Sequence, residues 1–345
     1  MRLIRNMKTA VGMAVVAGSL FGASAMAENL ELKMSGYYPE SNALWPEQVA
    51  SPIAKIAEVT NGRVKIKAYP SNTLVAPKDV YRSIQTGLVG VDWVFGPFNP
   101  GAWPLLDVVS LPGLFPNQSV SNQVLQALFK KHPEMEQQFP STVKHIVSQV
   151  HMRADLHSRM PISTLADLKG KVIGCQSPSM AQALAALGAS STVIKFSEAY
   201  TSLERGVLDG VMVAWGSVGA FRLDEVAKNH TMLGLSPGVS HWMFNRKDWD
   251  KISKDDQMKI ELLAPELQAT IARGNIDGAR KARVDLATAA KGHKFFTLSD
   301  QDTATMREKF RPLWNEWADK MEAKGLPGKA VLKDAEELVL LYSTF

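Results

Sequence analysis

The run PISTLADLKGKVIGCQSPSMAQALAALGASSTVIKFSEAYTSLERGVLDG, residues 161–210, constrains the fold more than any other part of the 345-residue chain. Short apolar clusters separated by glycines and capping residues predict strand, helix, strand, helix and strand in turn. Residues 171–174 read as a strand. Residues 179–187 read as a helix closed by Gly188, whose missing Cβ suits a left-handed C-terminal position. A strand over 193–196 follows, then a helix capped by Ser197 and ending at Gly206, then a strand over 211–215. The N-terminal part repeats this plan, with a strand at 30–34, a helix over 44–59, and an Asn61-Gly62 turn into a strand at 63–68. A helix over 79–86 then stops at Gly87, before a strand at 91–95. The duplication is one of architecture, without a sequence repeat. Alternating strands and helices predict mainly parallel sheets flanked by helices, with ligands held beyond the carboxyl ends of the strands.

Residues 1–27 read as a secretory signal peptide, with Arg2, Arg5 and Lys8 ahead of a short apolar stretch and Ala25-Met26-Ala27 at the cleavage position. That stretch is too short to span a bilayer. The whole chain carries a net charge of +5, three of those charges in the leader, so the mature chain is left with +2. So small an excess does not make a nucleic-acid footprint. The remaining 318 residues favour two lobes over one core. Cys175 is the single cysteine, which excludes an internal disulfide and any multi-cysteine metal site. It follows an apolar strand and reads as a buried bystander.

Five ordered matches within residues 161–210 resemble the extracytoplasmic solute-binding proteins of tripartite (TRAP) transporters, the DctP-like family. They are the DLKG-K lead into a strand, the LGA ending the next helix, the FSE, the Tyr200-centred turn of helix, and the final DG. The resemblance implies a two-lobed α/β periplasmic-binding-protein fold, each lobe a mainly parallel sheet flanked by helices. Lobe I would comprise 28–150, with 239–253 returning to it, and lobe II 151–238. Residues 254–345 would supply a long lobe-spanning helix and a C-terminal helical region packing on both lobes. Pro265 marks a kink or boundary there. Phe310, Leu313, Trp314, Trp317 and Met321 form one apolar helix face and read as core. The implied function is a periplasmic receptor that closes on a small organic solute and delivers it to small and large TRAP membrane subunits.

Arg153, in the apolar context Val150-His151-Met152-Arg153, is the main polar candidate, because a guanidinium can bind a carboxylate or sulfonate through two parallel bonds. A structural pairing with Asp155 or Asp92 is the alternative. By resemblance, Arg153 is the first of two arginines facing the ligand acid. Gly174 stands where the second is usual, and Val213 where an asparagine is usual. Aromatic residues stand in their place: Tyr37 and Tyr38 end the first strand, Trp45 opens the first helix, Trp93 and Phe95 end the third strand, and Trp215 ends its counterpart. Trp242 and Phe244 alternate with Met243 on a later strand. By family position, Tyr38, Phe95, Gln176 and Phe196 fall at ligand contacts. An aromatic pocket with one arginine suits an organic acid, aromatic or sulfonated. A cationic amine caged by rings is a second possibility.

No phosphate-binding loop, dinucleotide fingerprint, zinc-protease motif or nucleophile elbow is present. His145, His151 and His157 recur every six residues and would lie far apart on an extended strand, so they read as satisfied histidines rather than a metal site. Catalytic residues, metal and cofactor are accordingly expected to be absent. Two other functions stay open: a binding protein for ATP-driven uptake, and a secreted hydrolase with dispersed catalytic residues.

Overall fold

The computed structural model describes residues 29–42, 44–235, 238–288 and 292–343, with the side chains of residues 196, 197 and 275 excepted. The expected signal peptide lies outside the described residues. Strand β1 (Leu30–Met34) pairs in parallel with β2 (Val64–Ala68). Leu32, Met34, Val64 and Ile66 face inward while Glu31, Lys33 and Lys65 face water, the period-two pattern of a half-buried pair. Helix α1 (Ser51–Val59) lies between them, preceded by a π-helical turn at Pro46–Ala50. Helix α2 (Val80–Thr86) stops at Gly87, whose φ of 85° makes the left-handed cap expected from the sequence.

Strand β3 (Val91–Phe95) joins β4 (Val143–Val150) through β10 (Val239–Asn245) in a three-stranded sheet of order β3-β10-β4. Helix α3 (Gln118–Lys131), capped by the Asn117 side chain, packs on β4. The chain then enters a six-stranded sheet of order β11-β9-β5-β8-β6-β7. Its strands are β5 (Ala154–Ser158), β6 (Val172–Cys175), β7 (Ser190–Val193), β8 (Gly210–Val213), β9 (Asn229–Leu235) and β11 (Lys294–Phe296). Helices α4 (Pro178–Ala186), α5 (Phe196–Glu204), α6 (Trp215–Ala220) and α7 (Leu223–Val226) connect them. The two sheets belong to two lobes, and the chain passes between them after Val150 and again after Leu235.

Where a mainly parallel sheet was expected in each lobe, the six-stranded sheet is mixed and the three-stranded one is antiparallel throughout. Pairs β6–β7, β6–β8 and β9–β11 are parallel, whereas β5 runs against both β8 and β9, and β10 against both β3 and β4. The antiparallel members are the strands that carry the chain from one lobe to the other. A strand entering from the neighbouring lobe is not preceded by the helical crossover that enforces parallel pairing. Two sequence boundaries shift for a related reason. Strand β6 has four residues, so its parallel neighbours end early: β7 closes at Val193 and β8 at Val213. Phe196 and Trp215 therefore open helices instead of ending strands.

Past α8 (Arg246–Trp249) and α9 (Lys254–Leu262), the 25-residue α10 (Ala264–Thr288) contacts β4 in lobe I and α6 in lobe II. Pro265 sits in its first turn, where a missing N–H is harmless. Helix α11 (Asp300–Glu322) packs on α4 of lobe II and α12 (Gly328–Ser343) on α3 of lobe I. Phe310, Trp314 and Met321 of α11 are buried, with Leu313 and Trp317 packed beside them. Among the described residues, no helix is long and apolar enough to cross a membrane.

Candidate functional site

At the lobe I end of the first crossover, aromatic rings form a continuous ladder. Tyr38 lies edge-on to Tyr37 at 4.9 Å between centroids, Tyr37 is 6.1 Å from Phe98, Phe98 is 5.2 Å from Phe95, and Phe95 meets His151 at 5.1 Å. Tyr37 is 44 % exposed and Phe98 36 %, whereas Tyr38 and Phe95 are half-buried. Burial raises the pKa of both tyrosine hydroxyls, so they stay protonated donors. Trp45 is half-buried beside Gly36 and packs on the lobe I core.

Two glycines of the returning chain seat the central groups. A Cβ built on Gly238 would lie 2.2 Å from the Phe95 ring, and one on Gly234 would lie 2.5 Å from the Arg153 guanidinium. Both side chains therefore rest against bare backbone. Arg153 donates to the Phe115 carbonyl at 3.2 Å and is half-buried. Among the described residues no carboxylate lies within ion-pair distance of it; Asp155 acts on it only through its field. Burial lowers the Arg153 pKa, Asp155 opposes this, and Arg307 adds to it. Neither pairing named as the alternative is formed. Asp92 accepts instead from the Ser35 and Trp93 amides, and burial pushes its pKa up to about 7. Asp155 accepts from Trp215 Nε1 at 2.7 Å and from the Gly234 amide at 2.8 Å.

Sequence reasoning set the histidines aside, and His151 is the one it missed as a neighbour of the site. Its Nε2 lies 2.7 Å from Ser240 Oγ, and burial lowers its pKa to about 4, so the ring is neutral at ordinary pH. Ser240 in turn sits between Phe95 and Gln149 in one cross-strand row. The available signal was the alternation of residues 239–245, which puts a small hydroxyl on the side of Trp242 and Phe244.

Among the described side chains, the remaining expected contacts are buried or half-buried. Trp242 is 0 % exposed and packs in the lobe I core with Phe244, edge-on to Trp93 at 4.9 Å. Trp93 is half-buried on the same face. Trp215 is 2 % exposed in the lobe II core, held by Asp155, flanked by His157 and Phe295, with the Arg283 guanidinium 5.8 Å from its ring centroid. Its indole is packed in one cluster with Ala279 of α10, beside Arg283 of the same helix. Gln176 is half-buried just past the end of β6. The Phe196 side chain lies outside those described. A Cβ on Gly174 would meet Ile194 at 2.7 Å and Leu208 at 2.9 Å, so apolar side chains fill the space an arginine there would need. Cys175 is buried, its thiol directed at the Ser177 and Thr192 carbonyls and its pKa raised by burial.

The other histidines are tied into separate networks. His157 Nε2 donates to the Val213 carbonyl, which makes its Nδ1 the acceptor for His230 Nδ1–H at 2.8 Å; His230 Nε2 then meets His293 Nδ1 at 2.9 Å. His145 bridges Glu136 and Ser148, and Ser148 Oγ also meets His241. Among the described residues, no group of three potential ligands could hold a metal ion.

The arrangement can hold a flat solute against rings on one side and meet an acid group with one fixed positive charge. Comparison with known proteins agrees with a binding role. The chain is 25% identical to a solute-binding protein of Roseobacter denitrificans over 272 residues, which span 78% of this chain and 82% of that one. Its fold superposes on a TRAP periplasmic solute binding protein from Desulfovibrio salexigens with a TM-score of 0.82 at 22% identity, covering 91% of this chain and 97% of the other. A TRAP solute binding protein from Rhodoferax ferrireducens, crystallised with copurified benzoate, gives 0.80 at 19% identity, covering 91% and 99%. The sequence matches the family described as bacterial extracellular solute-binding protein, family 7, over residues 36–320, and the chain belongs to that family.

Proposed function

We propose that this protein is a periplasmic receptor for an aromatic organic acid, exported by its signal peptide, and that it delivers the acid to a TRAP-type membrane permease. The observation that carries the reading is the ring ladder from Tyr38 to Phe95 and His151, which ends two residues from Arg153. Rings supply area for an aromatic body, and the guanidinium supplies charge-assisted bonds to the carboxylate. The solute touches both lobes, favours the closed arrangement, and shifts the population towards it. The benzoate held by the Rhodoferax protein of the same fold supports this choice of solute. Gly174 opposes a dicarboxylate, since a second arginine has no room there. Arg153 opposes a cationic solute.

A hydrolase would need a reachable nucleophile. The Glu136–His145–Ser148 chain has the right order of acid, imidazole and hydroxyl, but Ser148 is 0 % exposed and its hydroxyl is shared with His241. Ser148 also alternates with Gln149 along β4, so that oxygen lies on the face of the sheet turned away from Phe95 and the ring ladder. The test of the receptor reading is calorimetric titration with benzoate and related acids. Arg153→Ala should weaken binding by about 1.5–3 kcal/mol, roughly ten- to 150-fold, with no product formed. Equal affinity in the variant would remove Arg153 from the site. Capture of the detergent-solubilised permease by the acid-loaded protein, and not by the empty one, tests the delivery step.

A further inference from the structure

We propose that Gln149, with Ser240 and His151, forms an uncharged seat for a hydroxyl group of the solute, so that the receptor selects hydroxylated aromatic acids over their unsubstituted parents. The proposal rests on the aromatic-acid reading above and narrows it.

Gln149, Ser240 and Phe95 are direct neighbours across β4, β10 and β3. The next row on the same face is Val147, Trp242 and Trp93, because side chains two apart on a strand share a side. Gln149 is 0 % exposed, yet neither its amide nitrogen nor its oxygen has a hydrogen-bond partner among the described residues. The indole nitrogens of Trp93 and Trp242 are also buried without a partner among the described residues. Each buried group left unpaired costs about 1–3 kcal/mol, and folded proteins almost always supply something to bind it.

The donor and acceptor inventory says what that something is. The two rows together offer N–H donors from the amide and both indoles, and one amide acceptor, Gln149 Oε1. A carboxylate satisfies the donors and leaves the acceptor orphaned. An ammonium does the reverse. A hydroxyl both accepts and donates, and matches the set. Ser240 fits either way. If the His151 ring carries its proton on Nδ1, Ser240 donates to Nε2 and turns its lone pairs outward. If the proton is on Nε2, the serine proton is free to donate. No full charge stands in the row, so a second acid group there would lack a counter-ion and would leave Gln149 Oε1 unpaired.

The experiment is titration calorimetry of matched pairs: benzoate against 3- and 4-hydroxybenzoate, and phenylacetate against mandelate. In the wild type, at least one hydroxylated acid should bind about tenfold or more tighter than its parent, since a site built to bond a hydroxyl rejects the analogue lacking it. Gln149→Met should bring that ratio to about one while leaving the parent acid within about threefold. Ser240→Ala should shrink the ratio in the same direction, and serves if the glutamine variant does not fold. Arg153→Ala should weaken both members of a pair equally. Parent and hydroxylated acids binding alike in the wild type, or a preference that survives in Gln149→Met and Ser240→Ala, overturns the proposal and leaves the acid reading intact. Failure of every acid to bind at millimolar concentration overturns the aromatic-acid reading, and the hydroxyl seat with it.

Discussion

Lobe I and lobe II both bury tryptophan and histidine against a sheet, but they treat the polar atoms of those rings differently. In lobe II, Trp215 Nε1 is bound by Asp155, His157 by the Val213 carbonyl, and His157, His230 and His293 are linked in series. In lobe I, Trp93, Trp103 and Trp242 have indole nitrogens without a partner among the described residues, as do His241 Nε2 and both amide atoms of Gln149. On the face of the sheet that carries Phe95, Ser240 and Gln149 the contrast separates a scaffold from a site; Trp103 and His241 meet on the other face. A lobe whose buried polar groups satisfy one another can be built rigidly, whereas one that leaves them open is completed by something from outside. Trp215 and Trp242 look alike in sequence, each an indole in an apolar strand context. Only its surroundings tell that one is fastened and the other left open.

The largest effect that can break this contrast is acid. Burial lowers the pKa of His157 to about 3, and those of His151 and His230 to about 4. An unfolded imidazole titrates near 6.5. Between pH 4 and 6.5 the unfolded chain therefore holds more protons, and stability falls as pH falls through that window. Asp92, raised to about 7, works in the opposite direction. A single histidine contributes a slope of at most about 1.4 kcal/mol per pH unit. Denaturant midpoints measured from pH 7 to 4 should drop, and His151→Gln should remove up to one histidine's share of the slope. A His151→Gln slope equal to that of the wild type would refute a neutral, desolvated His151. Next in size is Asp155→Ala, which strands the donors Trp215 Nε1 and the Gly234 amide. A loss of about 3 kcal/mol is expected in urea denaturation. A loss under 1 kcal/mol would mean that lobe II is no better satisfied than lobe I.

How far the sequence could be read depended on whether a feature is local. The strands at 30–34 and 91–95 and the glycine stops at Gly87 and Gly188 follow from nearest-neighbour chemistry and were legible. The antiparallel pairing of β5 and β10 was not, because it depends on which lobe the preceding strand occupies. Within the candidate site, Tyr37, Tyr38, Phe95 and Arg153 stood out as residue types. His151, Gln149 and Ser240 did not, since their meaning comes from a row spanning three strands separated by some fifty to ninety positions. Gly174 reads in sequence as a missing arginine, and in the fold as a position closed by Ile194 and Leu208. Gly174→Ala should cost under about 1 kcal/mol, since only the tips of Ile194 and Leu208 must give, whereas Gly174→Arg should cost about 1–3 kcal/mol by overpacking and fail to install a second clamp. A well-folded Gly174→Arg protein with tighter acid binding would show that the space opens toward the solute.

The smallest expected effect is the most discriminating between the lobes. Gln149 is buried and unpartnered in the empty protein, so removing its amide removes two desolvated polar atoms and no hydrogen bond. Methionine keeps nearly the same length and volume while dropping the polar groups. Gln149→Met should then leave the stability of the solute-free protein unchanged, or raise it by up to about 1 kcal/mol, in contrast to the loss for Asp155→Ala. Adding the solute should reverse the order, because the wild type gains stabilisation in proportion to affinity and the variant has lost part of it. A Gln149→Met protein that loses 2 kcal/mol or more without solute would place that amide among the fold's own bonds. The two lobes would then be built alike, and neither would be left open for a ligand.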